Sequence, residues 1–538
     1  MKPTQCATQR VIILGVDGVP HTQIKRLAQE GKLPNFKKLM NAGQFHPLKT
    51  EVPPITAMGW PTIYTGVNPG KHGLYDFGPV DKNALNVVRF HNPVDCQAEF
   101  LWEILERNGI KSGVVGVPMS SPFRNKPTFG EGDHLRGDWV HFDEWKNKDN
   151  FARVIHTHPA FNERIYSMMH NKFDQLEYAL DTKMPAEGVQ FLALTVYVID
   201  PLQHFRWTKF PVVEKGFKLI DDRMGKIMKK LKPNDTLIVV SDHGMTRLEK
   251  MFYTNKWLEH RGYLVLKKKQ EKKTMEKIGE KSFINVQTFE KLTMPIINML
   301  ITTNMIKHMP KSLARLYDYI RKKVLPSKKR DSVGWDKILP DVDWKKTKAY
   351  SVGCVGNIYL NIKEREKYGS VAKKEAHKLA EKIRQELIAD AEKNEMKAEV
   401  HFREEIYSGN GLEHCPDIIP LIDGGSVLTT SGYPLADTWV RAVAAEEAQT
   451  ATHDMFGIFG AYGKNVTGIP GEKVLSVRDI TPTVLRLFGL TKEIKGMDGR
   501  VLDEFFTKLS TPGTPEAPGS VAVREEEKIT DALAGIQF

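Results

Sequence analysis

The sequence predicts an α/β fold with a largely parallel central sheet, and three observations predict it. Val11–Val16, Phe191–Ile199 and Thr236–Val240 are continuous apolar runs, the pattern of strands buried on both faces. Segments of helical periodicity separate them. Each run leads directly, or within two residues, into an aspartate: Asp17, Asp200 and Asp242. A carboxylate at the end of a buried strand loses hydration unless something pairs with it, and in α/β sheets ligands gather beyond the carboxyl ends of the strands.

In chain order, the first strand delivers Asp17-Gly18. Helices follow at about 22–30 and from Leu33-Pro34, the second carrying Phe36, Leu39 and Met40 on one face. Next comes the stretch around which the rest is organised, Thr50–Phe77, TEVPPITAMGWPTIYTGVNPGKHGLYDF. Pro53-Pro54 stiffens the backbone ahead of Thr56 and Gly59-Trp60-Pro61 reads as a turn behind it. The Thr56 hydroxyl is thus expected at a strand-to-helix junction. Lys71 and His72 are expected to belong to a helix-capping turn.

A helix over 99–108 and a strand over 111–117 precede a Pro-, Gly-, Asp- and Trp-rich stretch, 120–150, read as a loop insertion over the site. A helix over 163–180 leads to the second apolar run, with His204 four residues beyond Asp200. A helix over 212–231 leads to the third, which ends in Ser241-Asp242-His243-Gly244-Met245. Residues 251–344 are Lys-rich and include an amphipathic stretch, Phe289–Leu325. It is read as a helical cap with a solvated basic face, peripheral contact with an anionic surface being the alternative.

A βαβ-like unit is expected from Ala349–Ile362, a helix over 371–392 and Lys397–Phe402, with another core strand at Ile418–Ile422. His453 stands before a Gly-rich connection, and a closing helix covers 477–490. The Pro/Gly/Ser/Thr-rich residues 510–520 read as a linker to a short acidic C-terminal helix. The implied organisation is a core in three parts (8–95, 186–248 and 411–507). Two insertions interrupt it (96–185 near the active site, and the basic cap 249–345), with a small subdomain at 346–410 and a tail at 508–538.

Composition narrows the class. Hydrophobic residues at 41% and charged residues at 27% fit a chain that buries a sizeable core rather than a disordered or fibrous one. A net charge of +12 suits an anionic substrate or surface without choosing between them, and no specific nucleic-acid binding is expected. Cys6, Cys96, Cys354 and Cys415 are far apart and form no CxxC pair, so a reducing compartment is the simpler reading. No stretch approaches the ~20 apolar residues of a membrane span. The N-terminal apolar run ends in Asp17 and reads as a core strand, so a cytoplasmic location is expected.

Collected at the predicted strand ends are Asp17, Thr56, Asp200, His204, Asp242, His243 and His453. Three aspartates and three histidines are the ligand inventory of two divalent metals with mixed nitrogen and oxygen coordination. Zinc is expected, with manganese or iron as alternatives. Two such ions would clamp an in-line displacement at phosphorus and lower the pKa of Thr56, an alcohol otherwise too weak a nucleophile. No CxPxR sequence occurs, which argues against a sulfatase.

Six motifs carry a resemblance: VDG at Asp17, PPxTxxxW around Thr56, TGxNPGKHGxxDF at Thr65–Phe77, Asp200-x-x-x-His204, SDHGM at Ser241–Met245 and THDxxGIF at Thr452–Phe459. In that order they resemble the alkaline phosphatase superfamily, and within it the type I phosphodiesterase/nucleotide pyrophosphatase branch. SVGCVGNIYLNIKERE (351–366), EEIYSG (404–409) and RDITPTVLRLFGL (478–490) extend the likeness over residues 10–507, less closely in the insertions.

The resemblance implies an alkaline-phosphatase-like three-layer sandwich with inserted caps. One metal would be held by Asp200, His204 and His453, and the other by Asp17, Asp242 and His243. Thr56 would be the nucleophile, passing through a covalent phospho- or nucleotidyl-threonine. The expected reaction is hydrolysis of a small-molecule phosphate ester, diester or pyrophosphate. A phosphomutase or phospholipid-headgroup transferase on the same scaffold is the alternative, and a catalytically silent, membrane-leaning binding protein is the alternative of another class. The family's phosphoryl-binding asparagine falls on Phe77, beside Asp76, which leaves that oxygen without its amide donor.

Overall fold

The structure, a computed structural model, describes residues 9–81, 86–87, 91–133, 160–267, 342–434, 437–468 and 471–507. At its centre is an eight-stranded sheet. In chain order its strands are β1 (Arg10–Val16), β2 (Gln44–Lys49), β3 (Ser112–Pro118), β4 (Phe129–Asp133), β5 (Phe191–Val196), β6 (Asp235–Val240), β7 (Phe456–Tyr462) and β8 (Leu475–Ser476). In space they run β8-β2-β7-β6-β1-β5-β3-β4, and every pairing is parallel except the two made by β7.

Helices cover both faces: α1 (His21–Gln29), α2 (Pro34–Ala42), α3 (Thr56–Thr65), α4 (Leu101–Arg107), α5 (Phe161–Tyr178), α6 (Ile199–Arg206), α7 (Phe210–Lys230) and α9 (Ile480–Leu487); α8 (Lys373–Lys393) packs on a second sheet. The alternation of β1 explains why both faces need cover. Ile12, Leu14 and Val16 join the core formed with Ile24, Phe36, Met169 and Phe217 of α1, α2, α5 and α7. Val11 and Ile13 join Trp60, Tyr64, Trp102 and Val484 of α3, α4 and α9. Each large side chain so buried contributes ~1.5–3 kcal/mol. This is the three-layer sandwich, α on β on α.

Register decides where the functional side chains emerge. Val16 of β1 lies opposite Val196 of β5, and Gly15 opposite Val240 of β6, so these three strands end together. β7 runs the other way, with Phe459 opposite Val240, and its first residue therefore lies at the same edge. The backbone N–H of Thr50 donates to Met455 O at 2.9 Å, which brings the exit from β2 there too.

A second, seven-stranded sheet is made from 250–253, 349–351, 358–360, 398–402, 418–422, 427–430 and 440–442. α8 covers it through Ile383, Leu387 and Ala391. Ile418 is paired with Ile358 and with Phe402, both antiparallel. The strands before and after α8 therefore run parallel with 418–422 between them, a split βαβ.

Several local expectations are corrected. The run 191–199 is strand only to Val196; Ile199 opens α6, which puts Asp200 in a helical first turn rather than at a strand end. Gly59-Trp60-Pro61 lies inside α3 and is no turn, because all ten residues of that helix are buried and packing overrides their poor helix propensity. β4 lies within the stretch read as loop. β7 is a strand that the sequence pattern does not single out, just ahead of the Gly-rich connection: a Cβ at Gly457 would sit 2.5 Å from Ser241 O, so glycine there is a condition of close strand packing. The amphipathic stretch 289–325, residues 134–150 of the insertion and the 510–520 linker with its helix lie outside the described residues.

Lys71 and His72 serve the fold. Asn68 caps the short turn Pro69–His72 by accepting from Gly70 N at 2.8 Å, and Lys71 pairs with Asp498. His72 is wholly buried, its Nδ1 accepting from Leu74 N at 3.2 Å and its Nε2 donating to Thr62 at 3.0 Å. Burial lowers its pKa from 6.5 to about 3. Between those values the unfolded chain takes up a proton that the folded chain refuses. The resulting stability is whole above about 6.5 and is lost as pH falls towards 3. His72→Gln should therefore flatten the fall in melting temperature between pH 7 and pH 5; parallel curves for the two proteins would place the acid lability elsewhere.

Candidate active site

Asp17 follows β1 directly and Asp242-His243 follow β6 by one residue, while α6 carries Asp200 and His204 on consecutive turns of one face. His453 comes from a two-stranded ribbon in which Ala451–Asp454 pairs with Gly244–Arg247, placing His453 opposite Met245. Thr56 is the first residue of α3, preceded by an extended Ile55. All seven side chains meet at the carboxyl edge of the large sheet.

The imidazoles share one arrangement. The Nδ1 of His204 lies 2.9 Å from Ala451 O, that of His243 lies 2.8 Å from Gly244 O, and that of His453 lies 2.9 Å from Pro54 O. A carbonyl only accepts, so each Nδ1 is a protonated nitrogen, and in the neutral ring each Nε2 presents a lone pair. Those lone pairs converge. His204 Nε2 and His453 Nε2 are 2.9 Å apart, a repulsive contact unless a cation or proton lies between them. Thr56 Oγ1 is 3.1 Å from His243 Nε2, close enough to donate its hydroxyl proton.

The carboxylates complete the picture. Asp200 approaches His204 Nε2 at 3.4 Å and His453 Nε2 at 3.5 Å; Asp17 and Asp242 approach His243 Nε2 at 3.5 and 3.4 Å. With the rings neutral, none of these is a hydrogen bond. Asp17 Oδ1, Asp200 Oδ1 and Asp242 Oδ2 are buried with no hydrogen-bond partner. Burial above all, then Asp242 and Asp200, pushes the Asp17 carboxyl well above its usual range. Burial and then Asp200 do the same to Asp242. For Asp200 burial acts upward too, but His204 and His453 in their protonated forms outweigh it and hold the group low, and Asp200 in turn raises the His204 imidazole against its burial. Burial, aided by His453, keeps His243 neutral.

Orphaned carboxylate oxygens facing imidazole lone pairs are the donor set that a divalent cation completes, and the residues present fit one. Two groups could hold an ion: Asp200, His204 and His453, and Asp17, Asp200 and His243. Asp200 belongs to both. Asp242, which the resemblance assigns to the second set, reaches the same His243 nitrogen from another side.

Supporting contacts were not foreseen from sequence. Trp60 Nε1–H donates to Asp17 Oδ2 at 2.9 Å, and Gly18 N–H to Asp242 Oδ1 at 3.3 Å. Trp60 is four residues beyond Thr56, so the hydroxyl and the indole share one face of α3; that spacing was the available signal. Gly18 adopts φ +66°, and a Cβ there would lie 2.8 Å from Asp200 Oδ1, so glycine is required on both counts.

Beside His204 and His453 lies a cavity of about 370 Å³, its walls including Phe77, Phe205, Leu421 and Leu428. A larger groove of about 820 Å³, between α5 and α7, touches none of the seven residues. Asp76 is held by the main chain. Its carboxylate accepts from Phe77 N at 2.6 Å and Cys354 N at 2.8 Å, and burial raises its pKa.

A parallel α/β sandwich with convergent carboxylates, imidazoles and one hydroxyl at its carboxyl edge belongs to the class of hydrolases that gather cations around an acyl or phosphoryl centre. A sequence model of the type I phosphodiesterase / nucleotide pyrophosphatase family matches residues 11–453, and the chain belongs to that family. It is a phosphoester-hydrolysing enzyme of the alkaline phosphatase superfamily. Phosphonoacetate hydrolase from Sinorhizobium meliloti 1021, in complex with phosphonoformate, has a similar fold. That likeness has TM-score 0.54 and 13% identity, covering 90% of this chain and 96% of that one. Inactive murine ectonucleotide pyrophosphatase/phosphodiesterase 5 with AMP matches at TM-score 0.44 and 14% identity over 90% and 96%. No curated protein matches the chain. Among the described residues no helix is long and apolar enough to cross a membrane.

His453→Ala removes one of three side chains from the Asp200 group. Its metal content, by elemental analysis after dialysis against zinc, should fall below that of the wild type while the far-ultraviolet circular dichroism is kept. Equal content would remove His453 from the ligand set.

Proposed function

We propose that the protein hydrolyses phosphate diesters with Thr56 as nucleophile, at a centre of two divalent cations held by Asp17, Asp200, His204, Asp242, His243 and His453. The observation that carries this reading is the meeting of three imidazole lone pairs with three orphaned carboxylate oxygens around one hydroxyl. When bound, the cations supply neutralisation of the phosphoryl oxygens and a lowered hydroxyl pKa. Zinc suits this nitrogen and oxygen set, with manganese or iron as alternatives.

The protein's own groups do the rest. Pro54 and Ala451 carbonyls fix the rings of His453 and His204, and Trp60 fixes Asp17. Thr56, held at the start of a buried helix, keeps its oxygen in one direction. Its Oγ forms a bond to phosphorus as the bond to the departing oxygen breaks. The hydroxyl proton goes to solvent, and the leaving oxygen takes one back. Water then attacks the same phosphorus and frees Thr56, two in-line displacements that together give retention.

Thr56→Ala should lower turnover of bis-p-nitrophenyl phosphate by at least about a thousandfold, as losses of a nucleophile do. Its metal content should stay near that of the wild type. Retained turnover would exclude the covalent route, and lost metal would make Thr56 a ligand first.

A further inference from the structure

The cavity beside His204 and His453 has a chemical character of its own. Its described lining contains no Lys, Arg, Asp or Glu. Phe77, Phe205, Val355, Leu421 and Leu428 dominate it, and its polar members include Gln449, whose amide is already engaged by Ala451 O at 3.2 Å. Phe77 gives this wall a phenyl ring, which offers no hydrogen-bond donor. The wall is also built rather than incidental. The buried Asp76 carboxylate ties the backbone of Phe77 to that of Cys354, and a Cβ at Gly353 would lie 2.2 Å from Asp76 Oδ2. The segment that carries Thr56 is thereby fixed to the second sheet across the cavity.

The cavity's position says which part of a substrate it receives. Thr56 lies against His243, whereas the cavity opens on His204 and His453, the other ligand group. In an in-line displacement the departing oxygen is on the far side of phosphorus from the attacking one. The leaving group therefore points towards His204 and His453. A cation held by Asp200, His204 and His453 would meet only the departing oxygen; the rest of a leaving phosphate would bring negative charge against walls with no Lys or Arg, at a high desolvation cost. An aryl or alkyl alcohol would bury apolar surface there, in a volume within the ordinary range for small-molecule pockets.

Resting on the Thr56 reading above, we infer that this cavity is the leaving-group subsite and that it accepts an uncharged apolar alcohol, so that the enzyme selects phosphodiesters over pyrophosphates. The bond broken is that from phosphorus to the alcohol oxygen, which leaves with the electron pair and is protonated by solvent.

The test compares two substrates that retain the same aryl group: bis-p-nitrophenyl phosphate, which expels p-nitrophenol, and p-nitrophenyl diphosphate, which expels phosphate. Wild-type kcat/KM should favour the diester by at least about tenfold, and Leu428→Arg, on a partly exposed wall position, should cut that preference by about tenfold or more. Phe77→Ala should also lower it, and decides the matter if the arginine variant does not fold. A wild-type preference for the diphosphate, or a preference that neither variant moves, would overturn the subsite while leaving the Thr56 mechanism standing. Turnover of neither substrate by the metal-loaded enzyme would overturn both.

Discussion

Three carboxylates are held in a buried space where they cannot all be ionised unless positive charge joins them. Asp17, Asp200 and Asp242 each have an oxygen without a hydrogen-bond partner, and burial drives Asp17 and Asp242 towards their neutral forms. Protein interiors seldom leave such atoms unmatched. The rest of the catalytic edge is arranged around that unmet demand. Three imidazoles turn their N–H groups outward to backbone carbonyls and their lone pairs inward. A fold that spends so much buried polarity in one place is organised for a ligand there rather than for stability.

The sheet register is what makes the convergence accurate. Asp17, Asp242 and the ribbon bearing His453 hang from neighbouring strands of one sheet, and α6 brings Asp200 and His204 in from the end of a fourth. Side chains distant in sequence are thus placed by rigid elements. The cavity walls draw on both a loop and the second sheet: Phe77 comes from the loop after Pro69–His72, and Leu421 and Leu428 come from strands 418–422 and 427–430.

Much of this was legible in the sequence for a simple reason. Parallel strands buried on both faces must be apolar runs, so β1, β5 and β6 announce themselves and the polar residue after each is conspicuous. β2 and β7 do not. His46 and Pro47 interrupt one, and Gly457 and Gly460 the other, because close backbone contact there matters more than side-chain volume. The seven candidate residues could be collected because each is a rare type at a predicted element end. Their orienting partners could not, since Pro54 O and Ala451 O are main-chain atoms that carry no residue signature. The shared position of Asp200 between two ligand groups likewise depends on distances that only coordinates supply.

The antiparallel strand β7 has a consequence for how the molecule comes into being. It lies between β2 and β6, which have no pairing with each other. Until residues 456–462 have been synthesised, the nascent polypeptide has a divided sheet. A chain interrupted before that strand would present the inner edges of β2 and β6 as open seams for proteases and chaperones.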